Sequence, residues 1–261
     1  MNFYTNVLQW GNNLLVRAVI NDKRENFRIR YSPTLYAPVE KKTPYKNLDG
    51  GYVTNLTFST MKEAKEWVDT MKNQPHLVYG NTQYPYTYIA DTYKGRVDWD
   101  LEKILMVTID IEVQSDKGFP NPKDAFYEIT AITLKNNIDN VYYVWALGDW
   151  NKSESPKEIQ KEIINYKKCF DEKDLLKKFI FHWVTNYPDI ITGWNSRLFD
   201  MHYLVNRIKR KLGNDYAKKL SPWNLVTNDK VPSVGGDQPC YKIIGIQQLD
   251  YLQVFRKYGY T

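Results

Sequence analysis

The chain has 261 residues, 43% hydrophobic and 25% charged, enough apolar material for one large or two ordinary folded, soluble domains. No apolar run approaches the roughly 18 residues of a membrane span, and the start MNFYTNVLQWGNN lacks a basic region followed by an apolar stretch, which argues against a membrane or secreted class. A net charge of +6 and a pI of about 9.0 favour a polyanionic partner, although a lysine-rich solvated face gives the same balance.

Two cysteines, Cys169 and Cys240, lie far apart without metal-type spacing, so a reduced cytoplasmic protein is expected, within the host cell if phage-encoded. In chain order, residues 3–31 alternate apolar and polar positions around the polar stretch NDKREN, which predicts a hairpin. Thr60 and Glu63 form a capping-box pair, and Ala64, Trp67, Val68 and Met71 recur at helical spacing, so a helix is expected there, closed by Pro75. Residues 79–96, YGNTQYPYTYIADTYKGR, set tyrosines beside Lys94 and Arg96. Single-strand nucleic-acid surfaces have that interleaving, but the strand preference of Tyr favours ordinary β packing. A boundary is expected near residue 100.

Beyond it, ILMVTIDIEV, YEITAITLK and VYYVWAL predict three strands at 104–113, 127–135 and 141–147, the last two joined by the short polar turn NNIDN of an antiparallel meander. Leu175, Leu176, Phe179, Ile180 and Trp183 mark a helix capped by Asp171, and DIITGWN a short strand ending at Gly193. A second helix is expected from about Ser196 to Gly213, buried through Met201, Leu204, Val205, Ile208 and Leu212. The mixture of elements is α/β.

Within the first of these strands, alternation puts Asp110 and Glu112 on one face and Ile109, Ile111 and Val113 on the other. Neighbouring carboxylates repel and resist desolvation, so a folded site needs cations between them, and hard divalent ions such as Mg²⁺ or Mn²⁺ suit oxygen ligands. Two such ions about 3.5 to 4 Å apart can generate a hydroxide for in-line attack on phosphorus. Asp200 is the best further acid, in the first turns of a helix that follows a strand end. For an isolated Asp-x-Glu a solvated face or lysine pairing is the commoner explanation, and the helix macrodipole alone favours an acid at Asp200.

RYSPTLYAP, MKEAKEWVDTM and ADTY in the first region, followed by DIEVQSDKGFPNP, EITAIT, ITGWNSRLFDMHYLVNRIKRKLG, AKKLSP and QQLDYLQVFRKYGYT, together resemble the amino-terminal part of a family B DNA polymerase, closest to those of T-even-type bacteriophages. The resemblance implies a small α+β amino-terminal domain over 1–101 and an RNase H-like 3′-to-5′ proofreading exonuclease domain over 102–261, a mixed sheet flanked by helices and lacking its final helices. It implies two Mg²⁺ or Mn²⁺ ions, with Asp110 bridging them, Glu112 on the nucleophile side and Asp200 holding the second. It also implies that Phe119, in the GFP loop, stacks on bases of a frayed primer end and that Asn195 and Phe199 position that end. LVTNDKVPSVGGDQPCYKIIGI, residues 225–246, resembles the family's primer-separating hairpin and is equally compatible with an ordinary surface hairpin.

Departures from the family pattern are specific. No Tyr-x-x-x-Asp or His-x-x-x-x-Asp motif follows Asp200, so the fourth acid is missing, as are the palm, fingers and thumb motifs. The expectation is therefore a truncated or split polymerase that needs missing residues or a second chain for full activity. Its expected ligands are the single-stranded primer terminus and template DNA, with RNA as a further candidate, and no membrane. A second reading is a noncatalytic module that binds single-stranded DNA or RNA through its basic and aromatic surface.

Overall fold

The structure is a computed structural model and describes residues 2–116, 118–232 and 236–259. The chain divides into two compact units, Met1–Trp99 and Asp100–Thr261.

The first unit begins with β1 (Asn2–Trp10), β2 (Asn13–Ile20) and β3 (Lys23–Arg30), an antiparallel meander rather than a single hairpin. Only Asn21 and Asp22 of NDKREN make the second turn, both with positive φ (49° and 65°), a conformation these short polar residues tolerate. The remaining residues of that stretch enter β3. A second small sheet joins β4 (Thr34–Pro38), β5 (Tyr45–Lys46) and β6 (Tyr52–Thr57) in the order β4-β6-β5. The helix α1 (Met61–Thr70) starts where the capping signal stands: Thr60 Oγ1 accepts from Glu63 N at 3.1 Å, and Glu63 reaches back to Ser59 N at 2.9 Å.

The tyrosine-rich segment corrects the expectation of β packing: it forms α2 (Tyr84–Thr92). Pro85 sits in the first turn, Asn81 Oδ1 accepts from Gln83 N at 2.8 Å, and Tyr84 and Tyr88, four apart, are buried in one core with Leu14, Val16 and Met61.

In the second unit β7 (Met106–Val113), β8 (Ile129–Asn136) and β9 (Tyr142–Ala146) form the expected antiparallel meander. After the single turn α3 (Lys157–Gln160), β10 (Ile164–Lys168) pairs parallel to β9. Helix α4 (Glu172–Thr185) is capped by Asp171 and buries Leu175, Leu176, Phe179, Ile180 and Trp183. Next come β11 (Ile190–Gly193), α5 (Asp200–Leu212) and α6 (Asn214–Lys218). The hairpin of β12 (Val226–Val231) and β13 (Gln238–Ile243) pairs antiparallel, Val226 opposite Ile243 and Val231 opposite Gln238. Part of its Gly-Gly tip lies outside the described residues. β14 (Gln247–Asp250) and α7 (Tyr251–Tyr258) follow.

The six-stranded sheet runs β10-β9-β8-β7-β11-β14, with β7, β11 and β14 mutually parallel. A three-strand meander extended from its first strand by parallel strands reached through helices is the RNase H-like arrangement, in the α/β class. Its position matters for chemistry: β7 is central, and the chain leaves its neighbour β11 at Gly193, beside Ile109 of β7. One core under the sheet collects Ile109, Ile111, Ile132 and Trp145 with Phe179, Trp183, Leu204 and Ile208 from α4 and α5. Among the described residues no helix is long and apolar enough to cross a membrane.

Candidate active site

The alternation of β7 is realised in full. Ile109 and Ile111 are buried, whereas Asp110 and Glu112 face the open side. Asp110 pairs across to Thr133 and Glu112 to Ala131, and the register shifts between Glu112 and Val113, which pairs with Ile129.

Gly193, the last residue of β11, lets this neighbouring strand press against β7. A Cβ there would lie 2.7 Å from the Ile109 carbonyl oxygen and 2.9 Å from Ser196 Cβ, closer than real Cβ contacts allow. The chain then turns through Asn195, which has a positive φ of 58°, before α5 begins. Regular helix starts at Asp200 rather than near Ser196. Asp250, buried at the end of β14, holds the intervening turn: its carboxylate accepts from Asn195 N at 3.1 Å, Arg197 N at 3.0 Å and Leu252 N at 3.0 Å. Sequence reasoning missed this residue. Its one local signal is an acid placed between a strand and a helix, the ordinary mark of an N-cap.

This geometry delivers Asp200 to β7. Asp200 is 4% exposed, and its Oδ1 accepts from Ile111 N at 3.0 Å, which sets its carboxyl beside Asp110. Burial pushes the Asp200 carboxyl up to about 7; the Ile111 N–H opposes that rise, and repulsion from Asp110 and then Asp250 adds to it. Partial burial also raises Asp110. Glu112 shares the face of Asp110, but among the described residues no three His, Cys, Asp or Glu side chains stand close enough together to hold a metal ion. The structure thus joins Asp110 and Asp200 and leaves Glu112 on the exposed rim.

Phe119 is 79% exposed, and its ring lies 4.7 Å from that of Phe199, which in turn lies 5.8 Å from Tyr203. Phe199 N donates to Asn195 O at 2.9 Å, so Asn195 shapes the turn through its backbone. The exposed Phe119 ring therefore rests on the half-buried Phe199, the residue immediately before Asp200.

A buried ion pair anchors the same helix. Arg207 meets Glu172 in a two-pronged contact, Nε to Oε1 at 2.6 Å and Nη2 to Oε2 at 2.7 Å, and Glu172 Oε1 also accepts from Ile129 N at 2.8 Å. It joins α5, the first turn of α4 and the start of β8.

Comparison with known proteins agrees with this architecture. Residues 64–261 match the family described as DNA polymerase family B, exonuclease domain. The DNA-directed DNA polymerase of Enterobacteria phage T4 is 32% identical over 279 aligned positions, covering 99% of this chain and 31% of the relative. That of Escherichia phage RB69 is 31% identical over 280 positions, with the same coverage of both. The DNA polymerase catalytic subunit of Elephantid herpesvirus 1 (isolate Asian elephant/Berlin/Kiba/1998) is 31% identical over 124 positions, 44% of this chain and 11% of the relative. The chain thus spans 31% of the length of its two phage relatives. Exonuclease domains of this kind generally use divalent metals. With the family match covering most of the chain and the acids of β7 and α5 meeting at the open face of the sheet, the chain belongs to the family B DNA polymerases, within their exonuclease domain.

Proposed function

We propose that this chain is the amino-terminal and proofreading part of a phage replicative DNA polymerase, and that it hydrolyses the 3′ end of a primer strand with two divalent ions, Mg²⁺ or Mn²⁺. Residues 1–101 are then the amino-terminal domain and 102–261 the exonuclease domain. The observation that carries this reading is the Asp200 carboxylate lodged on the Ile111 N–H beside Asp110.

The donor set fits hard cations. Asp110, Glu112 and Asp200 offer only carboxylate oxygens, and the upward displacement of Asp200 marks a site that favours a compensating positive charge. Bound ions would supply a water of lowered pKa and neutralise charge at phosphorus. Asp110, Glu112 and Asp200 would hold the ions in this reading, Glu112 on the side of the attacking water.

Phe119 offers an exposed ring to the terminal bases, and Phe199 supports it from below. Base stacking is worth about 1–3 kcal/mol and tolerates any sequence, as proofreading requires. Asn195 and Phe199 position the strand end through the turn that leads into Asp200. Full activity needs a further acid, supplied by the remaining polymerase domains or by a second subunit. Template DNA is a further ligand of the assembled enzyme, and the site of action is the host cell interior.

Reconstitution tests the proposal. The chain is combined with the rest of the polymerase, Mg²⁺ and a mismatched primer, and compared with an Asp110→Ala, Glu112→Ala double variant. Loss of about three or more decades of rate in the variant is expected. Equal degradation by both would remove the assignment. Salt-sensitive binding of single-stranded DNA or RNA that survives chelation and alanine at all three acids, with no cleavage, would favour the noncatalytic module.

A further inference from the structure

The stripe Tyr203, Asn206 and Arg207 occupies positions i, i+3 and i+4 of α5 and therefore shares one face. All three side chains end on backbone carbonyls of residues 122–127, the segment that follows Phe119. Tyr203 Oη donates to Tyr127 O at 2.7 Å, Asn206 Nδ2 to Pro122 O at 2.9 Å, and Arg207 Nη1 to Ala125 O at 3.1 Å and also to Phe126 O.

Asn206 is the member of this stripe that also bonds the β12–β13 hairpin, whereas the second attachment of Arg207 is to Glu172. Tyr241 Oη, on β13, donates to Asn206 Oδ1 at 2.7 Å and accepts from Lys209 Nζ at 2.9 Å. The direction of this series is fixed by chemistry. A carbonyl only accepts, so the amide must turn its nitrogen toward Pro122; an ammonium only donates, so the Tyr241 proton must point to Asn206. Each bond in such a chain polarises the next. Beside it lies an open cleft of about 650 Å³ lined by Lys123, His202, Asn206, Asn228 and Tyr241 among others, so loop and hairpin are separated there by open space.

We propose that Asn206 is a positioning residue that couples the β12–β13 hairpin to the loop carrying Phe119. A displacement of the hairpin arm is transmitted through Tyr241 and the Asn206 amide to Pro122, three residues from the exposed ring. The meaning of that ring for nucleic acid rests on the proposed function; the mechanical coupling does not.

The test uses the full chain and amide hydrogen exchange at Lys123 and Ala125, whose N–H groups bond Asn121 Oδ1 at 2.9 Å and Asn121 O at 3.0 Å. Tyr241→Phe removes one oxygen and keeps the ring, so the fold is retained. Exchange at both amides should rise about fivefold, with the β7–β8 ladder unchanged. Asn206→Asp keeps the acceptor for Tyr241 but loses the donor to Pro122, and should speed the loop amides as much or more. Unchanged exchange in Tyr241→Phe would overturn the coupling. A single strand ending in 3′ 2-aminopurine gives the second measurement: quenching by the wild type that is lost in Phe119→Ala should fall about twofold in Tyr241→Phe. Equal quenching by wild type and Phe119→Ala would remove the assigned role of Phe119, while the exchange data would still decide the coupling.

Discussion

Replacing Asp200 by Asn should change how stability depends on pH in the metal-free chain. The ordinary carboxyl value is 3.8 and the folded value about 7, raised first by burial. The folded state therefore holds a proton between these values that the unfolded state has released, so stability is fully present below about pH 4 and is lost as pH rises through 7. At about 1.4 kcal/mol per pH unit, the loss by pH 8 is on the order of 4 kcal/mol. Asn keeps an acceptor for Ile111 N but carries no charge. Its stability should be level across this range, near the wild type at pH 4 and higher at pH 8. Urea unfolding, read by pulse-labelled exchange of β7 and α5 peptides at a fixed labelling pH, measures the difference unit by unit. Millimolar Mg²⁺ should narrow it at pH 8. Parallel pH curves for the two proteins would refute the reasoning.

Three other perturbations follow from the geometry. Gly193→Ala forces a Cβ to 2.7 Å from the Ile109 carbonyl oxygen, so β11 must shift; a loss of about 1–3 kcal/mol in urea unfolding is expected. Glu172→Ala leaves Arg207, itself only 4% exposed, without its carboxylate counter-charge, and should cost about 3–5 kcal/mol, much of it restored when Arg207 is also replaced by Met. Phe119→Ala removes a ring that is 79% exposed and should leave the unfolding curve unchanged while weakening single-strand affinity by about 1–3 kcal/mol, measured by fluorescence anisotropy.

The strands and helices that build the sheet are legible because periodicity and burial agree in them. Asp110 and Glu112 alternate with Ile109 and Ile111, and Leu175, Leu176, Phe179 and Trp183 define the buried face of α4. Elsewhere a local preference yields to tertiary context. The residues 84–92 form a helix despite their tyrosines, because Tyr84 and Tyr88 meet the core at helical rather than alternate spacing. β10, Ile164–Lys168, is short, lysine-bearing and at the sheet edge, so no apolar signal marks it. The delayed start of α5 has a nonlocal cause: Asp250 binds Asn195 N and Arg197 N, 55 and 53 positions earlier in the chain. The same distance hides Asp250 itself. Its three N–H partners also set its role in the turn, since they occupy both carboxylate oxygens.

The central claim is that divalent ions sit between the acids of β7 and the first turn of α5 beside a 3′ end. Substituting Fe²⁺ for Mg²⁺ in the presence of a single-stranded oligonucleotide, then adding ascorbate and peroxide, cuts the backbone wherever the metal is held. Cleavage confined to the neighbourhoods of residues 110–112 and 199–201, and abolished by Asp110→Ala with Asp200→Ala, is the predicted result. Cuts elsewhere, or a pattern that survives both substitutions, would contradict it.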